Sequence, residues 1–311
     1  MKNPSGISVA VCTFKSPETL GAALESLGRQ EIGDECLEIL LVDNGGLEET
    51  RSIAERFHGA TPHSFRYVRE PELGLSRARN RALRESGHRV IAFIDDDARA
   101  CPRWARSLFE AFENAKVRAV GGPVEPLWEA SRPGWLEDEL LRSLSVVEWG
   151  KEDRWLVWPE RIIGTNMAFD RNFLLDLGGF DEQLGRKGRS LAGMEDTVLQ
   201  ERMHREGFGV FYRADAVVHH LVPANRCRES YFFRRTMADE LSKLRVGTAE
   251  VTDTPTPKQF LVALRGFLES SIRYGYRRFR HPSKRIRPLL RAARHWARLR
   301  FPFERTENPN P

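Results

Sequence analysis

Three consecutive carboxylates, Asp95-Asp96-Asp97, follow directly on five apolar residues, Val90-Ile91-Ala92-Phe93-Ile94. Adjacent like charges repel, and burying them unpaired would be costly. A positive partner should therefore stand there, and a divalent cation is the simplest one. The plain alternative is a solvated acidic turn. Two more groups able to do chemistry appear late in the chain. Glu195-Asp196 follows a glycine-rich, charged loop (180–191), and His219-His220 follows the apolar run Ala216-Val217-Val218. Taken alone, Glu195-Asp196 could simply compensate the charge of a helix start. The histidine pair could belong to core or surface. On a strand its two members would point to opposite faces, so only one could meet a metal.

Several elements must position these groups. Apolar runs at 7–14, 36–42, 65–68 and 90–94 alternate with segments of helical period containing Leu20, Ala23 and Leu24, then Ile53, Ala54 and Phe57, then Ala78, Ala82 and Leu83. Ser16 before Pro17 is a fair helix cap with proline in the first turn. The alternation predicts an α/β fold, a Rossmann-like, doubly wound, mostly parallel sheet with right-handed crossovers. Asp43 and the acidic trio then fall just past strand ends, where such sheets bind ligands. Strands are also expected at 119–124, 162–169, 209–212 and 216–218. Helices are expected over 257–275 and 286–300. The stretch 126–160 is less regular and holds five tryptophans, read as ordinary packing or a cleft wall.

Composition narrows the class. With 41% hydrophobic and 30% charged residues, 311 residues suit a globular protein with a sizeable core. No apolar run is long enough to span a bilayer. The N-terminus lacks signal-peptide anatomy, and the four dispersed cysteines show no metal-ligand spacing, so a reduced, cytoplasmic chain is expected. There is no Gly-x-Gly-x-x-Gly after the first strand and no phosphate-binding Gly-x-x-x-x-Gly-Lys-Ser/Thr, which counts against dinucleotide-dependent dehydrogenases and P-loop enzymes. The net charge of +5 is unevenly spread. Residues 271–300 hold eleven Arg or Lys and no acid, leaving 38 basic against 44 acidic residues elsewhere. That segment reads as an interfacial amphipathic helix on anionic lipid, or as a solvated face or oligomer contact; within it Leu289, Ala292, Trp296 and Leu299 share one helix face with arginines around it. No nucleic-acid module is recognisable.

In this order, the motifs resemble the family 2 glycosyltransferases of the GT-A fold over roughly residues 5–235. Ile94-Asp95-Asp96-Asp97 looks like the family's metal-binding DxD. Gly193-Met194-Glu195-Asp196 looks like its ED motif. Residues 163–169 with Gly178-Gly179-Phe180-Asp181 look like its acceptor-side segment, and His220 stands at the place of its late metal-binding histidine. The resemblance implies an inverting transfer from a nucleotide-sugar donor, expected to be a UDP-sugar, to an acceptor that is a glycan, a lipid-linked glycan or a small molecule. It implies a metal held by Asp95, Asp97 and His220. Oxygen ligands favour Mg2+ or Mn2+, and the imidazole favours Mn2+. Thr13, Asp43, Arg79, Asp95 and Asp96 would bind the donor, with Asp43 on the base. Asn166 and Trp158 would face the acceptor. Asp196 would be the base, with Glu195 orienting it.

The implied domains are a catalytic domain over 1–240, with a nucleotide-sugar half to about 125 and an acceptor half after it, and a basic helical extension over 241–311. Peripheral attachment at the inner face of the plasma membrane is the expectation for the basic segment. Two alternatives remain at this point. A metal-dependent nucleotidyltransferase would want a glycine- and lysine/arginine-rich loop where Thr13-Phe14-Lys15-Ser16-Pro17 stands. A non-catalytic sugar- or lipid-binding scaffold would not need every acid to be present.

Overall fold

The computed structural model describes residues 5–188, 190–248, 256–280 and 284–304. The sequence also suggests a polar break with two prolines at 252–257 and an unstructured tail over 304–311, and both lie mostly outside these residues.

The first four strands are parallel: β1 (Gly6–Thr13), β2 (Cys36–Asp43), β3 (Ser64–Arg69) and β4 (Val90–Asp95), side by side in the order β3-β2-β1-β4. They are joined by α1 (Pro17–Gly28), α2 (Glu48–His58) and α3 (Leu75–Glu85). The helices cover both faces, which is why β4 reads as an unbroken apolar run. Val90, Ala92 and Ile94 pack with Leu20, Leu24 and Leu27 of α1, while Ile91 and Phe93 pack with Ala78, Ala82 and Leu83 of α3. Each such large apolar side chain contributes roughly 1.5–3 kcal/mol on burial. Pro17 starts α1 as expected, but the Ser16 hydroxyl donates to the Phe14 carbonyl and does not cap the helix.

The chain continues through β5 (Ala98–Ala100), α4 (Trp104–Ala111), β6 (Ala119–Gly121), β7 (Val124–Trp128), a short 3-10 stretch at Asp138–Leu144, and β8 (Arg154–Trp155). Then come β9 (Asn166–Asp170), α5 (Arg171–Asp176), α6 (Glu195–Arg205), β10 (Phe211–Tyr212) and β11 (Val218–Val222). Strand β9 runs antiparallel to β4 and extends the large sheet to eight strands, in the order β3-β2-β1-β4-β9-β6-β10-β8. A second sheet has the order β5-β11-β7. Two expectations shift. Residues 162–165 form a tight turn before β9, closed by the Asn166 N–H on the Ile163 carbonyl. The strand ending at His219-His220 begins later and runs on through Leu221 and Val222.

The chain divides into two compact units. The first, Met1–Leu127, Ser145–Gly188 and Glu195–Leu221, contains the large sheet. The second, Trp128–Leu144, Arg189–Met194 and Val222–Pro311, contains α7 (Glu229–Thr248), α8 (Pro257–Arg280) and α9 (Ile286–Glu304). The boundary expected at residue 240 falls inside α7. Leu241 of α7 packs with Ala297 and Phe301 of α9. Helix α8 meets α9 where Gly266 leaves room for the His295 ring, since a Cβ there would lie 2.4 Å from the imidazole. On α9, Ala292 and Leu299 are buried, while Trp296 on the same face is 38% exposed. Among the described residues no helix is long and apolar enough to cross a membrane.

Candidate active site

Parallel register brings three strand ends together. Thr13 lies opposite Asp43, and Cys12 lies opposite Asp95. The acids therefore gather at the carboxyl edge of the sheet, the usual ligand edge of such folds. Antiparallel pairing of β5 with β11 sets Ala98 opposite His220, and the Leu221 N–H donates to the Asp97 carbonyl at 2.9 Å. That backbone bond fixes His220 beside Asp97, with Nε2 3.3 Å from Asp97 Oδ1. His219 points the other way, as strand alternation requires, with its Nε2 3.4 Å from a Glu125 carboxylate oxygen and its Nδ1 3.7 Å from Cys101 Sγ.

Ligand atoms of Asp95, Asp97 and His220 all lie within 4.8 Å of one another. Two carboxylates and one imidazole are a donor set suited to a divalent cation. Asp96 shows the cost of leaving the trio uncompensated. Burial, then the charge of Asp97, raise its carboxyl to about 7, although the Thr13 hydroxyl donates to it at 2.6 Å. A bound cation would relieve that repulsion, so these residues fit the expected metal.

The ED pair opens α6, and its two members have different surroundings. Glu195 is buried and accepts from Arg79 at 2.8 Å through Oε1, while its Oε2 has no hydrogen-bond partner. Burial and the charge of Asp196 push its carboxyl up, against the pull of Arg79. Asp196 is only partly buried. Its Oδ2 accepts the Gly164 N–H at 2.9 Å. The next residue, Thr165, donates its hydroxyl to Asp95 Oδ2 at 2.6 Å. Adjacent residues of one turn thus hold the ED acid and the DxD acid. Gly164 is required there because a Cβ would come within 2.5 Å of the Arg79 guanidinium.

The remaining expected residues are placed as follows. Arg79, expected beside the nucleotide, is only 2% exposed and lies behind the acids, between Glu195 and Asp95 at 3.5 Å, with a 3.3 Å bond to the Gly164 carbonyl. Asn166, expected on the acceptor side, is fully buried. Its amide accepts from the Trp104 indole and donates to the Pro123 and Ala216 carbonyls. Asp43 is also fully buried, accepting from the N–H groups of Gly45 and Gly46 and from the Tyr67 hydroxyl. The Arg69 guanidinium is also 3.4 Å from Asp43 Oδ1, so four donors surround this carboxylate. Burial and the bond to Asp43 raise the Tyr67 phenol to about 12, so Tyr67 stays a donor. Trp158 is partly exposed and stacks on His204, with ring centroids 5.2 Å apart.

Three supporting residues escaped the sequence reading. Thr165 had no signal beyond its place in an apolar run. Trp104, on α4, is fully buried and donates its indole N–H to Asn166 at 2.9 Å, a bond that no spacing in the sequence signals. Gln200 lies one turn after Asp196, is buried, and exchanges two hydrogen bonds with the backbone of Ile162, pinning the 162–165 turn to α6.

The profile of the family described as Glycosyl transferase family 2 matches residues 8–175. The chain is 30% identical to the glucosyl-dolichyl phosphate glucuronosyltransferase of Haloferax volcanii, over 69% of this chain and 68% of that protein. It is 29% identical to the succinoglycan biosynthesis protein ExoM of Rhizobium meliloti, over 74% of this chain and 71% of that one. Among solved structures, the mannosyltransferase PcManGT of Pyrobaculum calidifontis, in complex with GDP-Man and Mn2+, superposes with a TM-score of 0.56 at 21% identity. That match covers 97% of this chain and 74% of the other. The fold is that of the GT-A glycosyltransferases.

Proposed function

The chain belongs to glycosyl transferase family 2, and from that membership we propose an inverting enzyme that moves a sugar from a UDP-sugar to a hydroxyl of a lipid-linked glycan. The single observation that carries the reading is the turn at Gly164-Thr165, which holds Asp196 through one residue and Asp95 through the next. A base and a diphosphate site tied to one turn are what in-line displacement needs.

In this reading Asp196 accepts the proton of the acceptor hydroxyl. The hydroxyl oxygen bonds to the anomeric carbon as the bond from that carbon to the diphosphate oxygen breaks, inverting its configuration. Asp95, Asp97 and His220 would hold Mn2+ or Mg2+, which when bound neutralises charge developing on the leaving diphosphate. Asp43, at the end of β2, is assigned to the base end of the nucleotide. Thr13 keeps Asp96 in place beside the donor. Arg79 orients Glu195 and Asp95 without touching the substrate. The names of the relatives, a dolichyl phosphate glycan enzyme and a polysaccharide biosynthesis protein, support a lipid-linked acceptor, and such an acceptor sits at a membrane surface, the partner expected for the basic segment 271–300.

Asp196→Asn keeps an oxygen for the Gly164 N–H but cannot act as the base. It should bind a UDP-sugar with Mn2+ like the parent in calorimetry and lose transfer by about 10²–10⁴-fold in a UDP-release assay. Asp97→Ala should lose Mn2+-dependent turnover. Full activity of Asp196→Asn would remove the base assignment, and retention of anomeric configuration by NMR would remove the single-displacement reading.

A further inference from the structure

Helix α8 carries an apolar stripe that faces away from its own helical unit. At 3.6 residues per turn, Leu261, Leu264, Leu268, Ile272, Tyr276 and Phe279 fall within about 60° of one line along the helix. All six are exposed: Leu261 is 63%, Ile272 72% and Phe279 84% accessible. The stripe is about 27 Å long at 1.5 Å per residue. The opposite side of α8 is already satisfied. Ala263 and Ser270 are buried, Gly266 seats His295, Phe267 packs on Trp296, and the Tyr274 hydroxyl donates to Glu229 at 2.7 Å.

Charge completes the pattern. Helix α8 has six basic residues and one acid, Glu269, which is paired with Arg265. Lys258, Arg273, Arg278 and Arg280 are exposed along the flanks of the stripe. A long apolar stripe bordered by Lys and Arg is the pattern of a helix lying in the plane of a membrane interface. The charges exclude the alternative of spanning. On a protein without a partner so large an apolar patch is unusual.

We propose that α8 is the membrane-docking element of this protein, lying flat on an anionic lipid bilayer with Leu261 to Phe279 among the acyl chains and its basic residues at the headgroups. The sequence pointed to the basic segment 271–300 for this role, which takes in the end of α8 and most of α9. In α9 the structure buries Ala292 and Leu299 in the helical unit and leaves Trp296 38% exposed beside Phe267, and two arginines of α9 are spent on acids of the same unit, Arg287 on Glu137 and Arg298 on Glu240. The occupant is a lipid surface rather than a second copy of the chain because the cationic rim would face itself in a symmetric dimer, whereas it complements anionic headgroups. The proposal goes beyond the catalytic reading and does not depend on it.

The full chain should cosediment with mixed phosphatidylglycerol–phosphatidylcholine vesicles, weakly with phosphatidylcholine alone, and less as salt is raised. Ile272→Ser with Phe279→Ser should lower the partition coefficient by about tenfold or more. Replacing Arg273, Arg278 and Arg280 with Gln should cost about fivefold per charge and flatten the salt dependence. UDP release with a water-soluble acceptor should be unchanged in both variants, which keeps this result separate from the fate of the catalytic proposal. Equal vesicle binding by parent and Ser variant would overturn the inference. So would sedimentation analysis showing a stable dimer that the same Ser substitutions dissociate.

Discussion

Thr165 contributes through one hydroxyl. Its 2.6 Å bond fixes one oxygen of Asp95, leaving the other to face Arg79 and the proposed metal position. Groups that orient metal ligands typically change affinity by about 10–100-fold when removed. Thr165→Val, which keeps the shape, should weaken Mn2+ binding by about that factor in calorimetry, at a stability cost of only about 1 kcal/mol by denaturant melts. Unchanged Mn2+ affinity would show that Asp95 orients itself. The acids themselves were legible because a carboxylate trio after an apolar run has few inexpensive fates. Thr165 was not, because a threonine in an apolar run reads as strand. Arg79 marks a different limit. Its presence on a helix was visible, but only the fold shows that it is surrounded by acids and withdrawn from solvent.

Among the elements, the parallel strands were the most legible, since strands covered on both faces are mostly apolar without alternation, as β1 and the first five residues of β4 are. The turn at 162–165 was misread as strand because Ile162-Ile163 looks like the start of an apolar run. Backbone hydrogen bonds to Gln200, thirty-eight residues away, decide its shape, and they leave no local trace. The contact of α8 with α9 carries a pH signature. The imidazole of His295 sits over Gly266, where burial, then the charges of Arg298 and Arg294, lower its proton affinity below the ordinary 6.5, against Glu240 and Glu269. The unfolded chain therefore binds the proton more readily than the folded one, so this site's contribution is full above about pH 6.5 and falls away as the pH drops through the lowered value. The parent should lose melting temperature below pH 6.5 faster than His295→Gln, and parallel curves for the two would exclude the effect.

Across the catalytic unit, Arg79 acts at long range. From α3 it reaches Asp95 at the end of β4, Glu195 at the start of α6 and the Gly164 carbonyl. Removing one partner of a buried ion pair leaves the other charged and unsolvated, at a cost of about 3–5 kcal/mol. Arg79→Met should be destabilised by that order in urea melts, and Glu195→Gln in the same background should recover much of the loss. Additive losses would show that the pair does not interact. The same connection accounts for how far the function could be read from the chain. Its order of motifs marked a family, while the cross-links that make them one site join residues from 79 to 220 and exist only once the sheet has formed.

The turn before β9 has a bearing on what this sequence is free to become. Three successive residues serve three separate masters: the backbone amide of Gly164 serves Asp196, the hydroxyl of Thr165 serves Asp95, and the amide of Asn166 serves Trp104, Pro123 and Ala216. A codon change there is judged three times over, while Trp158, partly exposed, is held from the protein side by its stack on His204. If Trp158 faces the acceptor as proposed, new acceptor preferences should arise by drift at positions such as 158, around an inherited 164–166 that tolerates almost no rewriting.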